Sequence, residues 1–239
     1  MSSSEVLLTV ENVSRVYVTP GGEVHALRDV SLEIRKGTLV ALKGRSGSGK
    51  TTLLNILGGL DQPTSGQVIF DGTPLHSLND EALTRLRCKR MGFVFQSFAL
   101  LPTYSALENV EFALRLAGCP VRESQARAMQ CLKAVGLANR RDSQPDELSG
   151  GQQQRVAIAR AMANHPALIL ADEPTGELDT KTTRQMLSLL RQLVKRDHMT
   201  VLITSHDPLI DEVADWTHEL LDGKLYSKSI LKKEQQQSL

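Results

Sequence analysis

Apolar and polar positions recur along this chain in ways that separate three regions. In the first third, Val30, Leu32 and Ile34 alternate with polar neighbours, the period-two pattern of a half-buried strand. Leu39–Leu42 is a short apolar strand running straight into a glycine-rich loop, and Val68–Phe70 and Gly92–Phe95 are further short strands. Between them Thr51–Leu60 reads as a helix that ends at Gly58-Gly59, with Pro63 just beyond. The middle third changes to helical spacing. Glu108–Leu116 is one helix, and Glu123–Val135 another, with Met129, Leu132 and Val135 three apart and Gly136 closing it. Asn139–Pro145 is polar and loop-like, and Gln152–Ala163 is helical until Pro166 stops it.

The last third alternates between the two patterns. Leu168–Asp172 is an apolar strand of the kind covered on both faces of a sheet. Thr182–Val194 carries Met186, Leu187, Leu190, Leu193 and Val194 on one helical face, and Val201–Thr204 is another buried strand. Pro208 suits the first turn of a following helix. Asp222-Gly223 between Glu219–Leu221 and Lys224–Tyr226 is a hairpin turn, and a polar tail is expected from Lys228 to Leu239. The fold class expected is α/β, with a mostly parallel core sheet, an N-terminal antiparallel β part of mixed strands and a helical insertion between about Phe98 and Asp146.

Composition narrows the function classes. The 239 residues suffice for one sizeable domain, and 41% hydrophobic with 23% charged residues is an ordinary globular balance. A formal net charge of +1 with no long basic stretch argues against a dedicated nucleic-acid binder. Cys88, Cys119 and Cys131 form no C-x-x-C pair, so buried or idle thiols in a reducing compartment are expected. No apolar run is long enough to cross a bilayer, and Met1–Glu5 is polar rather than a signal peptide. The chain is expected in the cytoplasm, with any membrane spanning left to another polypeptide.

Gly44-Arg45-Ser46-Gly47-Ser48-Gly49-Lys50-Thr51 fits G-x-x-x-x-G-K-[ST], a loop whose backbone N–H groups curl around phosphate oxygens at a helix start. In this reading Lys50 neutralises the β- and γ-phosphates and the Thr51 hydroxyl ligates Mg²⁺. Four such fixed positions arise by luck in roughly one chain per hundred of this length, and the strand before and helix after make luck a still weaker account. Such a loop needs a carboxylate for the metal and a group to activate water. Leu168-Ile169-Leu170-Ala171-Asp172-Glu173 supplies both, with Asp172 for Mg²⁺ and Glu173 as general base. An Asp-Glu pair opening an ordinary loop is the weaker alternative.

Leu148-Ser149-Gly150-Gly151-Gln152, followed by Gln153-Gln154-Arg155-Val156-Ala157-Ile158-Ala159-Arg160-Ala161, resembles the signature motif of ABC ATPases. Physically it is a second anion site at a helix start. The resemblance covers roughly Val6 to Tyr226. It implies that the signature of one copy completes the ATP site of another in a head-to-tail dimer holding two ATP. It implies further that Gln96 is the glutamine that senses Mg²⁺ and faces the membrane partner, and that Asp179 crosses the dimer interface. His206 resembles the switch histidine at the γ-phosphate, and Tyr17 the aromatic that stacks on adenine; outside this context either residue would more often be structural. Glu177 departs from the small or amide residue usual in relatives.

The expected site is therefore catalytic Glu173, His206 and Lys50, with Mg²⁺ on Thr51, Gln96 and Asp172. Nucleotide contacts are expected from Tyr17, Gly44, Arg45, Ser46, Gly47, Ser48, Gly49, Lys50, Thr51, Thr52, Gln96, Ser149, Gly150, Gly151, Gln152 and Asp179. Leu57–Gly66, Gly92–Phe98, Leu100–Pro102 and Ala106–Val110 are similar to the lipoprotein-releasing and macrolide-exporter branch, whose membrane subunits have few spanning helices. Permease subunits are thus expected partners, with Phe98, Leu100 and Leu101 at the contact or, equally, in the core. A mechanical regulator of the cell-division type shares the same chemistry. A DNA-repair or translation ATPase would carry long coiled-coil, zinc or second-cassette insertions, which this sequence lacks. The transported substrate is not written in the chain.

Overall fold

The computed structural model describes residues 5–228. The expected tail therefore lies, Lys228 apart, outside the described residues, as do Met1–Ser4. Strands β1 (Val6–Thr19), β2 (Gly22–Arg35), β4 (Ser65–Phe70) and β5 (Thr73–Pro74) form an antiparallel sheet in the order β2-β1-β4-β5. A second sheet runs β10-β9-β3-β8-β7-β6. It is built from β3 (Leu39–Lys43), β6 (Met91–Val94), β7 (Leu168–Asp172), β8 (Thr200–Ser205), β9 (Trp216–Leu221) and β10 (Lys224–Lys228). All its pairings are parallel except that of β10 with β9. This is the expected α/β class, with the antiparallel N-terminal sheet and the mostly parallel core.

Period-two geometry divides the core in two. Leu39, Ala41, Ile169, Ala171, Val201 and Ile203 face one side of the parallel sheet, where they meet helices α3 (Ala106–Leu116), α4 (Val121–Ala134), α5 (Gly150–Met162) and α6 (Thr180–Asp197). Val40, Leu42, Leu168, Leu170 and Leu202 face the other side, against α1 (Lys50–Leu57) and the N-terminal sheet. Because both faces are covered, these strands read as unbroken apolar runs rather than alternating ones. Parallel pairing also brings the carboxyl ends of β3, β7 and β8 side by side, with Lys43 opposite Ser205 and Asp172 opposite Thr204. The segments that follow these strands therefore leave the sheet side by side at one edge.

Several boundaries differ from the sequence expectation. The first helix stops at Leu57, because Gly58 and Gly59 already form its end. Helix α2 (Asp80–Arg90) was not expected. It has no fully buried residue, so no apolar stripe announces it, although Asn79 caps it by accepting from the Ala82 N–H. Acidic residues in its first turn and basic ones in its last favour the helix dipole. Pro208 opens only a short 3-10 turn to Glu212. The Asp222-Gly223 turn has φ of 47° and 76°, the left-handed pair of a tight hairpin. A Cβ at Gly223 would come within 2.8 Å of the Ala26 carbonyl, so only glycine fits. Cys131 is fully buried, and burial pushes its thiol pKa up.

Candidate functional site

The chemistry gathers where β3, β7 and β8 end. Helix α1 starts at Gly49, whose φ of 104° is left-handed, and no side chain caps its first turn. Its leading amides are thus left for an anion. The loop wraps the Lys50 ammonium, which donates to the carbonyls of Gly44 at 2.9 Å and Arg45 at 3.1 Å. Lys50 is only 5% exposed, and it also pairs with Glu173 Oε1 at 3.1 Å. The other carboxylate oxygen of Glu173 lies 2.8 Å from His206 Nδ1. Lys50, Glu173 and His206 thus form one line of contacts drawn from the start of α1 and the segments that follow β7 and β8.

A second line fixes the acidic pair. Thr51 Oγ1 donates to Asp172 Oδ2 at 2.9 Å, and Thr204 Oγ1 donates to Asp172 Oδ1 at 2.7 Å. The same Thr204 hydroxyl accepts from the Glu173 N–H at 2.8 Å. That bond matters because Glu173 is a non-glycine residue at φ 43°, a conformation costing about 1–2 kcal/mol. Thr204 is wholly buried and was not among the expected site residues. Its signal in the sequence is faint: one hydroxyl ending an apolar strand just before Ser205-His206.

The site suits a magnesium–triphosphate group on its own evidence. Ser48 Oγ is buried inside the loop with no hydrogen-bond partner, an orphan that a phosphate oxygen would satisfy. A Cβ on Gly44 would run into Ser48 Oγ and the Leu220 carbonyl, so the loop has no room for a side chain there. The Thr51 hydroxyl and Asp172 carboxylate are hard oxygen donors, the type Mg²⁺ takes alongside water and phosphate. Among the described residues no cluster of three or more His, Cys, Asp or Glu side chains could hold a metal by itself.

The remaining expected residues are placed elsewhere. Ser149 caps α5 by accepting from the Gln152 N–H at 3.4 Å, while its own N–H donates to Gln152 Oε1 at 2.9 Å. A Cβ on Gly150 would lie 3.6 Å from Phe98 and 3.8 Å from Leu178, and one on Gly151 would lie 2.6 Å from Thr182. Among the described residues no hydrogen bond or ion pair joins this signature to the Lys50 cluster. Gln96 is exposed, its amide 3.3 Å from where a Cβ on Gly176 would sit. Asp179 caps α6. Hydrogen bonds from the Thr182 hydroxyl and amide, then from the Lys181 amide, hold its carboxyl below the usual range. Glu177 is exposed. Tyr17 donates to Asp61 Oδ2 at 2.6 Å and has the Arg15 guanidinium 4.5 Å from its ring centre. One ring face is therefore already stacked. Leu100 packs partly against the core rather than standing free. Among the described residues no helix is long and apolar enough to cross a membrane.

Comparison with known proteins agrees with this geometry. Residues 27–176 match the family model described as ABC transporter. A Thermotoga maritima protein named as an uncharacterized ABC transporter ATP-binding protein is 48% identical over 206 residues, spanning 86% of this chain and 88% of that one. The macrolide export ATP-binding/permease protein MacB of Salmonella typhimurium is 48% identical over 219 residues. That match spans 92% of this chain but 34% of MacB, so the chain corresponds to about a third of the longer protein. Among solved structures, the dimeric post-hydrolysis state of the ATP-binding cassette MJ0796 bound to ADP and Pi superposes with a TM-score of 0.87. It is 41% identical, covering 94% of this chain and 99% of that one. With a family model matching residues 27–176 and relatives of this identity along most of the chain, the chain belongs to the ABC transporter family and is an ABC ATPase.

Proposed function

We propose that this ATPase pairs head-to-tail with a second copy around two MgATP and drives separate permease subunits that extrude lipoprotein, peptide or drug. It works on the cytoplasmic face of the membrane. Residues 1–227 act as one cassette, in which the helices between about 98 and 146 form an inserted lever. The observation that carries the reading is the Lys50–Glu173–His206 line beside an uncapped helix start.

In this reading the loop amides and Lys50 hold the β- and γ-phosphates, so Lys50 leaves Glu173 when nucleotide arrives. Glu173 then takes a proton from the attacking water. His206 holds the second oxygen of Glu173 and turns the carboxylate toward that water. Thr51, Asp172 and Gln96 hold Mg²⁺, which when bound neutralises charge on the phosphate oxygens. Tyr17 lies along the adenine with its uncovered face. Ser149, Gly150, Gly151 and Gln152 meet the nucleotide of the other copy, and Asp179 lies at that seam. The likeness to MacB supports export, and the dimeric MJ0796 cassette supports the pairing.

Glu173→Gln keeps shape and nucleotide binding but removes the base. Hydrolysis is expected to fall by about 10²–10⁴-fold, and light scattering with MgATP is expected to report a trapped dimer. A variant that stays monomeric at saturating MgATP contradicts the pairing.

A further inference from the structure

The stretch after Gln96 has no regular structure, yet polar side chains from two helices tie it down. Phe98 and Ala99 both adopt left-handed backbone, with φ of 60° and 48°, though neither is glycine. Their carbonyls are taken by one side chain: Arg160 donates from Nη2 to Phe98 O at 3.0 Å and from Nη1 to Ala99 O at 2.5 Å. Further along, Asn109 is wholly buried on α3 and brackets Leu101. It accepts from the Leu101 N–H at 2.8 Å and donates to the carbonyls of Leu101, Tyr104 and Ser105. The segment is held as a fixed shape, not as a slack linker.

Arg160 has no carboxylate partner among the described residues, and burial lowers its guanidinium pKa. A half-buried cation given only neutral carbonyls is poorly compensated. Its place in the last turn of α5 favours the helix dipole, but any exposed basic residue would supply that. What it uniquely does is hold the backbone at 98–99. Arg160 stands eleven positions after Ser149 on the same helix, about 16 Å along the axis. The Phe98 ring reaches back toward the helix start, against Gly150. The loop therefore lies along α5, gripped near one end through its backbone and touching the other through a ring.

We propose that Arg160 is a positioning residue for the signature: it locks the loop after Gln96 onto α5, so that Ser149 is presented to the other copy's nucleotide only while that loop is seated. A membrane subunit that displaces Phe98 and Ala99 thereby displaces Ser149. This rests on the head-to-tail reading above. It differs from a merely structural role in what it leaves alone, because Arg160 touches nothing in the Lys50 cluster.

The test uses the full chain carrying Glu173→Gln, with Arg160→Gln, Arg160→Lys or Phe98→Ala added. Two quantities are read: the affinity of dilute, monomeric protein for MgATP, and the dimer dissociation constant at saturating MgATP. Expected for Arg160→Gln is nucleotide affinity within about twofold of the parent and a dimer weakened about tenfold or more, a difference of roughly one well-placed interaction. Arg160→Lys, which keeps one donor group, should fall between, and Phe98→Ala should weaken the dimer alone. Should Arg160→Gln fail to fold, the Lys and Phe98→Ala variants decide by the same two readings. Folded variants that dimerise like the parent, or that lose both affinities by one common factor, overturn the inference. A parent that never dimerises overturns the head-to-tail reading and this inference with it.

Discussion

Two helices in this cassette begin at sites shaped for phosphate, and they begin differently. Helix α1 follows a left-handed glycine, carries no side-chain cap, and sets its first residue, Lys50, into an ion pair with Glu173. Helix α5 is closed by a reciprocal box between Ser149 and Gln152, with the hydroxyl bond a long 3.4 Å. The first start is surrounded by a cation, two carboxylates, a hydroxyl and a histidine, groups suited to hydrolysis. The second has glycines and a serine, and its contacts run to Phe98, Leu178 and Thr182 instead. One is a complete half-site waiting for phosphate. In the reading proposed above, the other is a donor surface whose complement is supplied by a second copy.

The sharpest way to break this contrast is to remove the cation from the complete side. Lys50→Ala deletes one charge-assisted contact to phosphate, worth about 1.5–3 kcal/mol, so MgATP affinity should fall roughly 10- to 100-fold in an equilibrium titration. An unchanged affinity would mean that the loop is not the nucleotide site. A smaller effect is expected at Thr204, which binds both members of the acidic pair. Thr204→Val leaves the Glu173 N–H and one Asp172 oxygen unpartnered in a buried place and should destabilise the fold by about 1–3 kcal/mol. It should also lower kcat more than it raises KM, and Thr204→Ser should restore both. Equal kcat in the valine variant would remove Thr204 from the site.

The smallest effect sharpens the signature side. Asp179 caps α6 with a carboxyl held below its ordinary value of 3.8 by the Thr182 hydroxyl and amide. Because the unfolded chain takes up the proton first, this contribution is present above pH 3.8 and is lost as pH falls through the lower folded value. Asp179→Asn keeps a capping oxygen but does not titrate. Thermal melts should therefore show the wild type losing its margin over the variant below about pH 4. A margin that is constant with pH would deny that the carboxylate form does the capping.

Much of this arrangement was legible in the chain itself, for identifiable reasons. The loop at 44–51, the Asp172-Glu173 pair and the Ser149 helix start are local patterns, each carried by contiguous residues on one element boundary. Strands β3 and β7 were legible because both their faces are buried. Helix α2 was not, since Leu83 and Leu86 are only partly covered and supply no stripe. Thr204 and Arg160 were hidden for another reason. Each acts on groups 31 to 62 positions away in sequence, and only the parallel sheet and the packing of α5 bring those groups within reach. Tyr17 shows the same limit, for its pairing with Asp61 and Arg15 depends on the register of β1 beside the end of α1.

The measurement that bears most directly on the account is a mixing experiment with two inactive chains. Lys50→Ala spoils the phosphate loop and spares the signature; Ser149→Arg does the reverse. Random pairing makes half the dimers mixed, each with one intact composite site, so an equimolar mixture should recover about a quarter of wild-type ATP turnover. A mixture no more active than its separate components would show that Lys50 and Ser149 never serve the same nucleotide.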